Sequence, residues 1–271
     1  MAKGADESQI EIGVACAAHT IQLALNDAIF EQDGMAKIMT SVREIVGHFN
    51  HSHPDSARLE QMQLQAGIAT PLKLLQDNVT RWNSKYYALE RISKLRCYID
   101  EIAEENMSFN SLSPMQWVQI EKFVRLLRPV ENFTKQLQLA ESNLGLLIPL
   151  LHAMVQAIEN ISDNGVKATK VALVNAIWAL KDGRKAARFG GIYSDKVVVL
   201  SMVLDPRYKF TFLEKRPPKP CPTVDVNAVK TDVLSLLKDE MPLKANAIQA
   251  NEIGDDDPFM LSKAAFTKAR Q

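Results

Sequence analysis

An arginine and a tryptophan stand side by side at Arg81 and Trp82, inside the polar stretch DNVTRWNS that runs from Asp77 to Ser84. A guanidinium stays charged at physiological pH and binds phosphate, whereas an indole ring stacks on nucleobases. The pair therefore predicts contact with an anionic, stackable ligand, and nucleic acid is the obvious one. A second interpretation stays open, in which Trp82 fills the core and Arg81 lies on its rim, because Trp is usually well buried.

A second constellation is the Cys-x-x-His pair of Cys16 and His19. Such a pair supplies half of a tetrahedral zinc site, which needs two further ligands. The nearest candidates are His48, His51 and His53, a cluster that we expect to form a surface loop. The competing interpretation is a small core Cys beside a hydrogen-bonded His. We expect neither a metal ion nor another cofactor.

Charge is distributed unevenly along a chain whose 32 basic and 32 acidic residues cancel. Residues 167–219 contain 12 basic and 4 acidic residues, a net charge of +8, whereas residues 1–66 carry −5. A local basic field attracts phosphate; alternatively, it is a solvated helix face that pairs with the acidic segment. Periodicity predicts a helix over residues 166–189, whose last turns would carry Lys181, Arg184, Lys185 and Arg188.

Length and composition are those of an ordinary globular chain with one or two domains: 271 residues, 46% hydrophobic and 24% charged. No apolar run approaches the ~18 residues of a membrane span, and the first residues contain no signal-peptide core. Cys16, Cys97 and Cys221 are far apart and form no C-x-x-C motif, which favours free thiols in a reducing compartment. The sequence contains no Gly-rich phosphate loop, nucleophile elbow or H-E-x-x-H motif.

Hydrophobic periodicity divides the chain near residue 106. Before it, short strands over residues 10–16 and 72–75 alternate with helices, which indicates a small α/β part. After it, apolar residues recur every three or four positions, and short helices joined by brief turns predict a bundle. A Pro-rich linker at 216–223, a helix at 225–239 and an aperiodic, partly disordered tail complete the chain.

Local signals predict where several of these helices begin and end. Ser113 should open a helix with a capping box that includes Gln116. Asn83 or Ser84 should cap the helix that follows the Arg-Trp pair, and Ser194 should cap a later one. The Asp205-Pro206 pair should stop that later helix.

Three motifs together resemble those of one protein family. The stretch CAAHTIQL, which begins at Cys16, is similar to the C-x-x-H-x-L-N-L signature of hobo–Activator-type (hAT) DNA transposases and of their domesticated relatives, the BED zinc finger proteins. Residues 77–84 are similar to the D-x-x-T-R-W-N-S motif of that family, and residues 204–209 to its L-D-P-R-[YF]-K element. The resemblance covers residues 1–213.

The resemblance implies a fold class that is mostly α with a small α/β part, in which an all-helical insertion bundle interrupts a partial RNase H-like domain. The regions would be residues 1–105, residues 106–215 and the linker, helix and tail at 216–271. It also implies that Cys16, His19, Arg81 and Trp82 lie near the former active site, where the family uses the Trp to stabilise an extruded base. Residues 205–209 would be structural.

The family's catalytic centre consists of three acidic residues that bind two divalent metal ions. The first two lie upstream of the C-x-x-H motif, and residues 1–4 resemble the continuation of the element that carries the second. The third belongs to an A-x-E-R-x-F-S pattern, in a dimerisation segment, that we do not find here. We therefore expect a chain truncated at both ends, without catalytic residues and without enzymatic activity.

Three functions stay open at this stage. The first is a nuclear, transposase-derived protein with weak residual DNA association through Arg81, Trp82 and the four basic residues at 181–188. The second is a helical scaffold that binds a protein partner, and the third is a truncated transposon product without function. No membrane partner is expected.

Overall fold

The computed structural model describes residues 16–106, 109–139, 143–179, 188–210, 213 and 225–240. Within these ranges the chain is mostly helical and contains no β-strand. Two compact units are distinguished, Met1–Val224 and Asp225–Gln271. None of the described helices combines the length and the apolar character that a membrane span requires.

Nine α-helices belong to the described part of the first unit. They are α1 (Ala17–Leu25), α2 (Asp33–His51), α3 (His53–Gln65), α4 (Trp82–Lys94), α5 (Arg96–Asn106), α6 (Pro114–Leu137), α7 (Leu147–Glu159), α8 (Lys167–Ile177) and α9 (Lys196–Leu204). The π turn, Asn26–Phe30, continues α1, and short 3-10 helices lie at Leu144–Leu146, Asn164–Val166 and Phe189–Ser194.

The longest helix, α6, packs against both α4 and α7. Its buried residues recur at three- and four-residue steps, as the sequence predicts, so one face of the helix is continuous with the core. The predicted capping box is confirmed, since Ser113 Oγ accepts from Gln116 N and Gln116 Oε1 accepts from Ser113 N. The predicted division at residue 105 stays a prediction, although α4 and α6 pack against each other across it.

The strand predicted at residues 72–75 is wrong. These residues belong to an irregular segment without a partner strand among the described residues. Instead, the fully buried Gln63 of α3 accepts from Leu72 N at 2.8 Å and donates to Leu72 O at 3.0 Å. One amide side chain thus satisfies the two backbone groups that a neighbouring strand would have paired. The strand predicted at residues 10–16 lies, except for Cys16, outside the described residues.

Of three further local predictions, two are corrected by competing hydrogen bonds and one is confirmed. α8 ends at Ile177 rather than near residue 189, and Arg188 N donates to Ala179 O at 2.9 Å, so the chain returns to the end of α8. α9 is capped by Asp195 rather than Ser194, because the Asp195 carboxylate accepts from two backbone N–H groups of its first turn. The predicted stop at Asp205 is confirmed.

The histidine cluster is helical rather than a loop. His48 and His51 lie in the last turn of α2, and His53 begins α3. His48 Nε2 lies 2.6 Å from Asp55 Oδ2, and the Ser52 hydroxyl donates to the same oxygen. These bonds hold α2 and α3 together at a corner of one residue.

The second unit contains the helix α10 (Val226–Glu240), in agreement with the helix predicted at 225–239. The Asp225 carboxylate caps it by accepting from the backbone N–H groups of Asn227 and Ala228 at 3.0 and 3.1 Å.

Glycine at position 145 permits a close approach between the Leu144–Leu146 turn and α9. A Cβ atom at Gly145 would lie 2.5 Å from the backbone oxygen of Ser201, whereas a Cβ at Gly47 inside α2 would have no atom within 4 Å. We predict that Gly145→Ala destabilises the protein by about 1–3 kcal/mol, because backbone must move. Gly47→Ala should stabilise it by about 0.5–1 kcal/mol, since Ala is the better helix former.

Urea unfolding of both variants measures these changes. Both substitutions add the same methyl group. Opposite changes in the free energy of unfolding would therefore reflect the different packing at the two positions. Equal shifts of the two unfolding midpoints would contradict the close approach at Gly145.

Candidate functional site

A pocket of about 520 Å³ lies between the beginnings of α1 and α4 and the end of α6. We call it the motif pocket, because His19 of the C-x-x-H motif and both residues of the Arg-Trp pair line it, whereas Cys16 does not. Its lining residues are Ala18, His19, Gln22, Arg81, Trp82, Asn83, Ser84, Tyr87, Thr134 and Gln138. None of them is acidic, so the lining presents cationic, amide and hydroxyl groups to a ligand.

The turn before α4 is fixed by an ion pair at its beginning. Arg43 of α2 donates to both oxygens of Asp77, from Nε at 2.9 Å and from Nη2 at 2.7 Å. The Asp77 side chain is 1% exposed, and this hydrogen bond raises the pKa of Arg43. Asp77 therefore anchors the turn and faces away from solvent.

Side chains inside the turn satisfy its backbone. Asn78 Oδ1 accepts from the backbone N and the hydroxyl of Thr80 at 3.0 and 2.8 Å. The Ser84 hydroxyl accepts from Asn78 N and lies 2.6 Å from Arg81 O. The prediction that Asn83 or Ser84 caps α4 is therefore wrong: α4 begins at Trp82, and Ser84 closes the turn from within its first turn.

A single hydrogen bond joins the two motifs. Gln22, which follows His19 by three positions in α1, donates from its side-chain amide to Thr80 O. The first turn of α1 is thereby held beside Arg81, and the two sequence motifs share one pocket wall.

Arg81 and Trp82 face different environments. Trp82 is 2% exposed, and its ring centroid lies 6.5 Å from that of Tyr86 in the core between α4 and its neighbours. Arg81 is exposed and, among the described residues, its guanidinium has no carboxylate within 4.0 Å. The arrangement is that of a Trp that fills the core with an Arg on the rim.

The floor of the motif pocket is set by α6. The Tyr87 hydroxyl donates to Glu131 Oε1 at 2.7 Å, and Lys135 Nζ lies 2.7 Å from the same oxygen. Burial, and then the bond to Glu131, raise the pKa of Tyr87, which keeps the phenol neutral. The buried Glu131 carboxylate is thus paired with two donors, Tyr87 and Lys135, and its negative charge is not presented to the pocket.

Cys16 and His19 are both exposed, so the interpretation of Cys16 as a core residue is wrong. Cys16 stands immediately before α1, where its backbone oxygen accepts from Thr20 N and from the Thr20 hydroxyl. In the part of the chain that the structure describes, no three His, Cys, Asp or Glu side chains are grouped closely enough to hold a metal ion.

Of the four basic residues at 181–188 that are predicted to bind nucleic acid, Lys181, Arg184 and Lys185 lie outside the described residues. Arg188 lies not in a helix but after α8, and its side chain is 8% exposed. Its Nη2 atom contacts Asp27 Oδ2 at 2.8 Å. The Arg188 guanidinium is therefore paired within the protein and is not presented on the surface.

Sequence reasoning missed the contribution of α6 to the motif pocket. Thr134 and Gln138 are one helical turn apart and reach the pocket from a helix that carries no motif. The helical period predicts that they share a face, but it does not predict which other helix that face contacts.

The L-D-P-R-Y-K element is a turn that is held by its own charges, as expected for a structural role. The buried Asp205 carboxylate accepts from Arg207 Nε and Nη2 at 2.9 and 2.6 Å and also from Arg207 N. Lys209 completes the turn with a φ of 49°. The Arg207 guanidinium lowers the pKa of Asp205 to about 2.

We predict that replacing Trp82 with Ala destabilises the fold by about 3–5 kcal/mol, because a buried aromatic side chain leaves a cavity. Thermal or urea unfolding measures the change. Val79→Ala is the matched control, since Val79 is 66% exposed in the preceding turn and should change stability by less than about 0.5 kcal/mol. A Trp82→Ala variant as stable as the wild type would contradict the core position of the ring.

We predict that Asp205→Asn removes a pH-dependent part of the stability. The folded-state pKa of Asp205 is depressed from 3.8 to about 2, so its contribution is complete above the unfolded-state value and is lost as the pH falls towards 2. The variant should be less stable at neutral pH, and the difference from the wild type should shrink in acid. Urea midpoints at several pH values, with the exposed-site variant Glu60→Gln as control, measure this; a difference that is independent of pH would argue against the ion pair.

Comparison with known proteins agrees with the motifs. Residues 14–126 match the family model of the ZBED1 RNase-like helical domain. The chain is 24% identical over 196 residues to zinc finger BED domain-containing protein 4 of Homo sapiens. It is 23% and 22% identical over 198 residues to zinc finger BED domain-containing protein 6 of Mus musculus and of Homo sapiens.

These three matches each cover 72% of this chain but only 16% to 20% of the relatives, so the chain spans a fifth or less of their length. The matched residues 14–126 include both motifs of the motif pocket. The family model and the three relatives therefore support the resemblance of this chain to the hAT-derived, BED-type zinc finger proteins.

Proposed function

We propose that the chain is a catalytically inactive, transposase-derived nuclear protein that associates weakly with DNA through the motif pocket. The observation that carries the proposal is the composition of that pocket: the exposed Arg81 and His19 converge there, and no acidic side chain lines it. A concave surface with cationic and amide donors and no carboxylates suits a phosphate group.

The beginning of α4 adds to this preference. α4 is 13 residues long, and its N-cap residue, Arg81, provides no side-chain cap. The positive end of the helix dipole and the first backbone N–H groups therefore point towards the place where Arg81 and Asn83 lie. A phosphate at this place would receive backbone and guanidinium donors together.

The buried position of Trp82 determines which part of a nucleic acid is bound. A ring that is 2% exposed offers no free face on which a base can stack. The proposed contact is therefore with the phosphate backbone rather than with an extruded base, and binding should depend weakly on sequence and strongly on salt.

The proposal that the chain does not cut DNA rests on the chemistry of the pocket and on the sequence. Two-metal strand cleavage needs carboxylates that hold the ions. The lining of the motif pocket supplies none, and the A-x-E-R-x-F-S pattern is not found in the sequence. The nuclear location follows from the proposed ligand and from the relationship to BED zinc finger proteins.

The test is DNA binding by the Arg81→Gln variant, measured as fluorescence anisotropy of labelled duplex and hairpin DNA over a range of salt concentrations. The wild type should bind with an affinity that falls steeply with salt. Arg81→Gln should weaken binding about tenfold, as expected for one charge-assisted hydrogen bond, and should make the slope of log K against log salt less negative by about 0.9.

Lys94→Gln is the matched control, because it removes one positive charge from the same helix. Lys94 is exposed and pairs with Glu90, and it lies roughly 18 Å along α4 from Trp82 at ~1.5 Å per residue. Equal losses in the two variants would indicate a general charge effect and would overturn the pocket. The same DNA incubated with Mg²⁺ should stay intact. A wild type that binds no DNA at any salt concentration would favour the helical scaffold instead.

A further inference from the structure

The junction between the π turn (Asn26–Phe30), the end of α8 and Arg188 contains unpaired polar atoms. Three side-chain atoms of the described residues are buried without a hydrogen-bond partner: Asn26 Oδ1, Trp178 Nε1 and Arg188 Nη1. They come from three separate places in the sequence. The residues that carry them are nevertheless linked by contacts at this one junction, which argues that the three unpaired atoms share a cause.

Contacts between their neighbours bring the three residues together. Arg188 binds Asp27, the residue after Asn26, through Nη2 at 2.8 Å. The backbone N–H of Arg188 donates to Ala179 O, and Ala179 directly follows Trp178. The π turn itself packs against α8. Asn26 and Trp178 are therefore each next to a residue that forms a hydrogen bond with Arg188.

The three atoms are too deeply buried to be served by bulk solvent. Trp178 is 5% exposed, and the Arg188 side chain is 8% exposed. Buried donors and acceptors without partners are strongly disfavoured, and buried polar groups in native proteins are almost always paired. The π turn that continues α1 is a rare element, and such turns are frequent at functional sites. A polar ligand at the junction would remove the cost of all three atoms at once.

We propose that Asn26, Trp178 and Arg188 hold one buried water molecule. Water accepts two hydrogen bonds and donates two. The indole N–H of Trp178 and the Nη1 N–H of Arg188 would fill its two acceptor positions, and it would donate to Asn26 Oδ1. Three hydrogen bonds are the usual number for a buried water, and the partners match in type as well as in number.

The charges at the junction favour water over an anion. The Arg188 guanidinium is already neutralised by the Asp27 carboxylate at 2.8 Å. An added anion would lie beside that carboxylate in a poorly solvated place, and Asn26 Oδ1 would face it with a second acceptor. A neutral ligand with both donor and acceptor capacity avoids both penalties.

The experiment compares the indole N–H groups of Trp178 and Trp117, because only that of Trp117 has a hydrogen-bond partner in the protein. Trp117 is as buried as Trp178, but its Nε1 donates to Asp100 Oδ1 at 3.1 Å. In the ¹⁵N-labelled full chain, the Trp178 indole proton should show a cross-relaxation peak with a long-lived water, and the Trp117 indole proton should show none. Indole-selective Trp→Phe variants assign the two signals.

Three results would overturn the proposal. One is a Trp178 indole proton without a water peak. Another is a through-bond coupling from that N–H to a protein oxygen. The third is a saturable shift of the indole signal with inorganic phosphate, which would identify an anion site.

A second measurement does not depend on signal assignment. Oxygen-17 relaxation dispersion counts long-lived internal waters, and the Asn26→Leu/Trp178→Phe double variant should hold one fewer than the wild type. Trp117→Phe should leave the count unchanged. An unchanged count in a folded double variant would also overturn the proposal.

Discussion

The bidentate ion pair between Arg43 and Asp77 is the interaction on which the motif pocket depends. Asp77 is buried, and a buried carboxylate is tolerated only when it is paired and hydrogen-bonded. Arg43 satisfies both oxygens from α2 and thereby ties the turn that precedes α4 to α2. The position of Arg81 and the direction of α4 follow from this anchor. The aspartate of the Arg-Trp motif is therefore a structural residue whose neighbours are left free to face a ligand.

Local signals in the sequence predicted the helices well, because capping boxes and helix stops depend on residues that are near each other in the chain. Ser113 and Asp205 are such cases. The predicted strand at 72–75 was wrong because the decisive partner, Gln63, lies on a neighbouring helix and replaces a strand with one amide. The residues of the motif pocket likewise fall into those that local motifs predict and those that depend on tertiary packing. His19 and Arg81 were found from motifs, whereas Gln138 came from the tertiary packing of α6, for which no local pattern exists.

Trp82 illustrates why a shared motif and a shared role are separate questions. The motif specifies the type of residue and places it at the beginning of α4, but burial determines what the side chain can touch. Here the indole packs in the core with Tyr86, and the neighbouring Arg81 occupies the exposed rim. Under the proposed function, the motif keeps its place in the fold, and nucleic acid is contacted through a phosphate instead of a stacked base. Such a change replaces directional base stacking with electrostatic attraction, which is weaker in sequence preference and more sensitive to salt.

The motif pocket and the π-turn junction lie at opposite ends of the same helix, which consists of α1 and the π turn that continues it. α1 carries His19 at the pocket, and its continuation carries Asn26 and Asp27 at the junction, about 12 Å away at ~1.5 Å per residue. One end is held by the bond from Gln22 to Thr80, and the other by Arg188 on Asp27. The rotation of α1 about its axis is set by its apolar face, because Ile21, Ala24 and Leu25 are fully buried and the helix packs against α8. The two polar contacts add to that packing at the two ends of the helix, so the exposed His19 is held at the pocket by a buried face on the same helix.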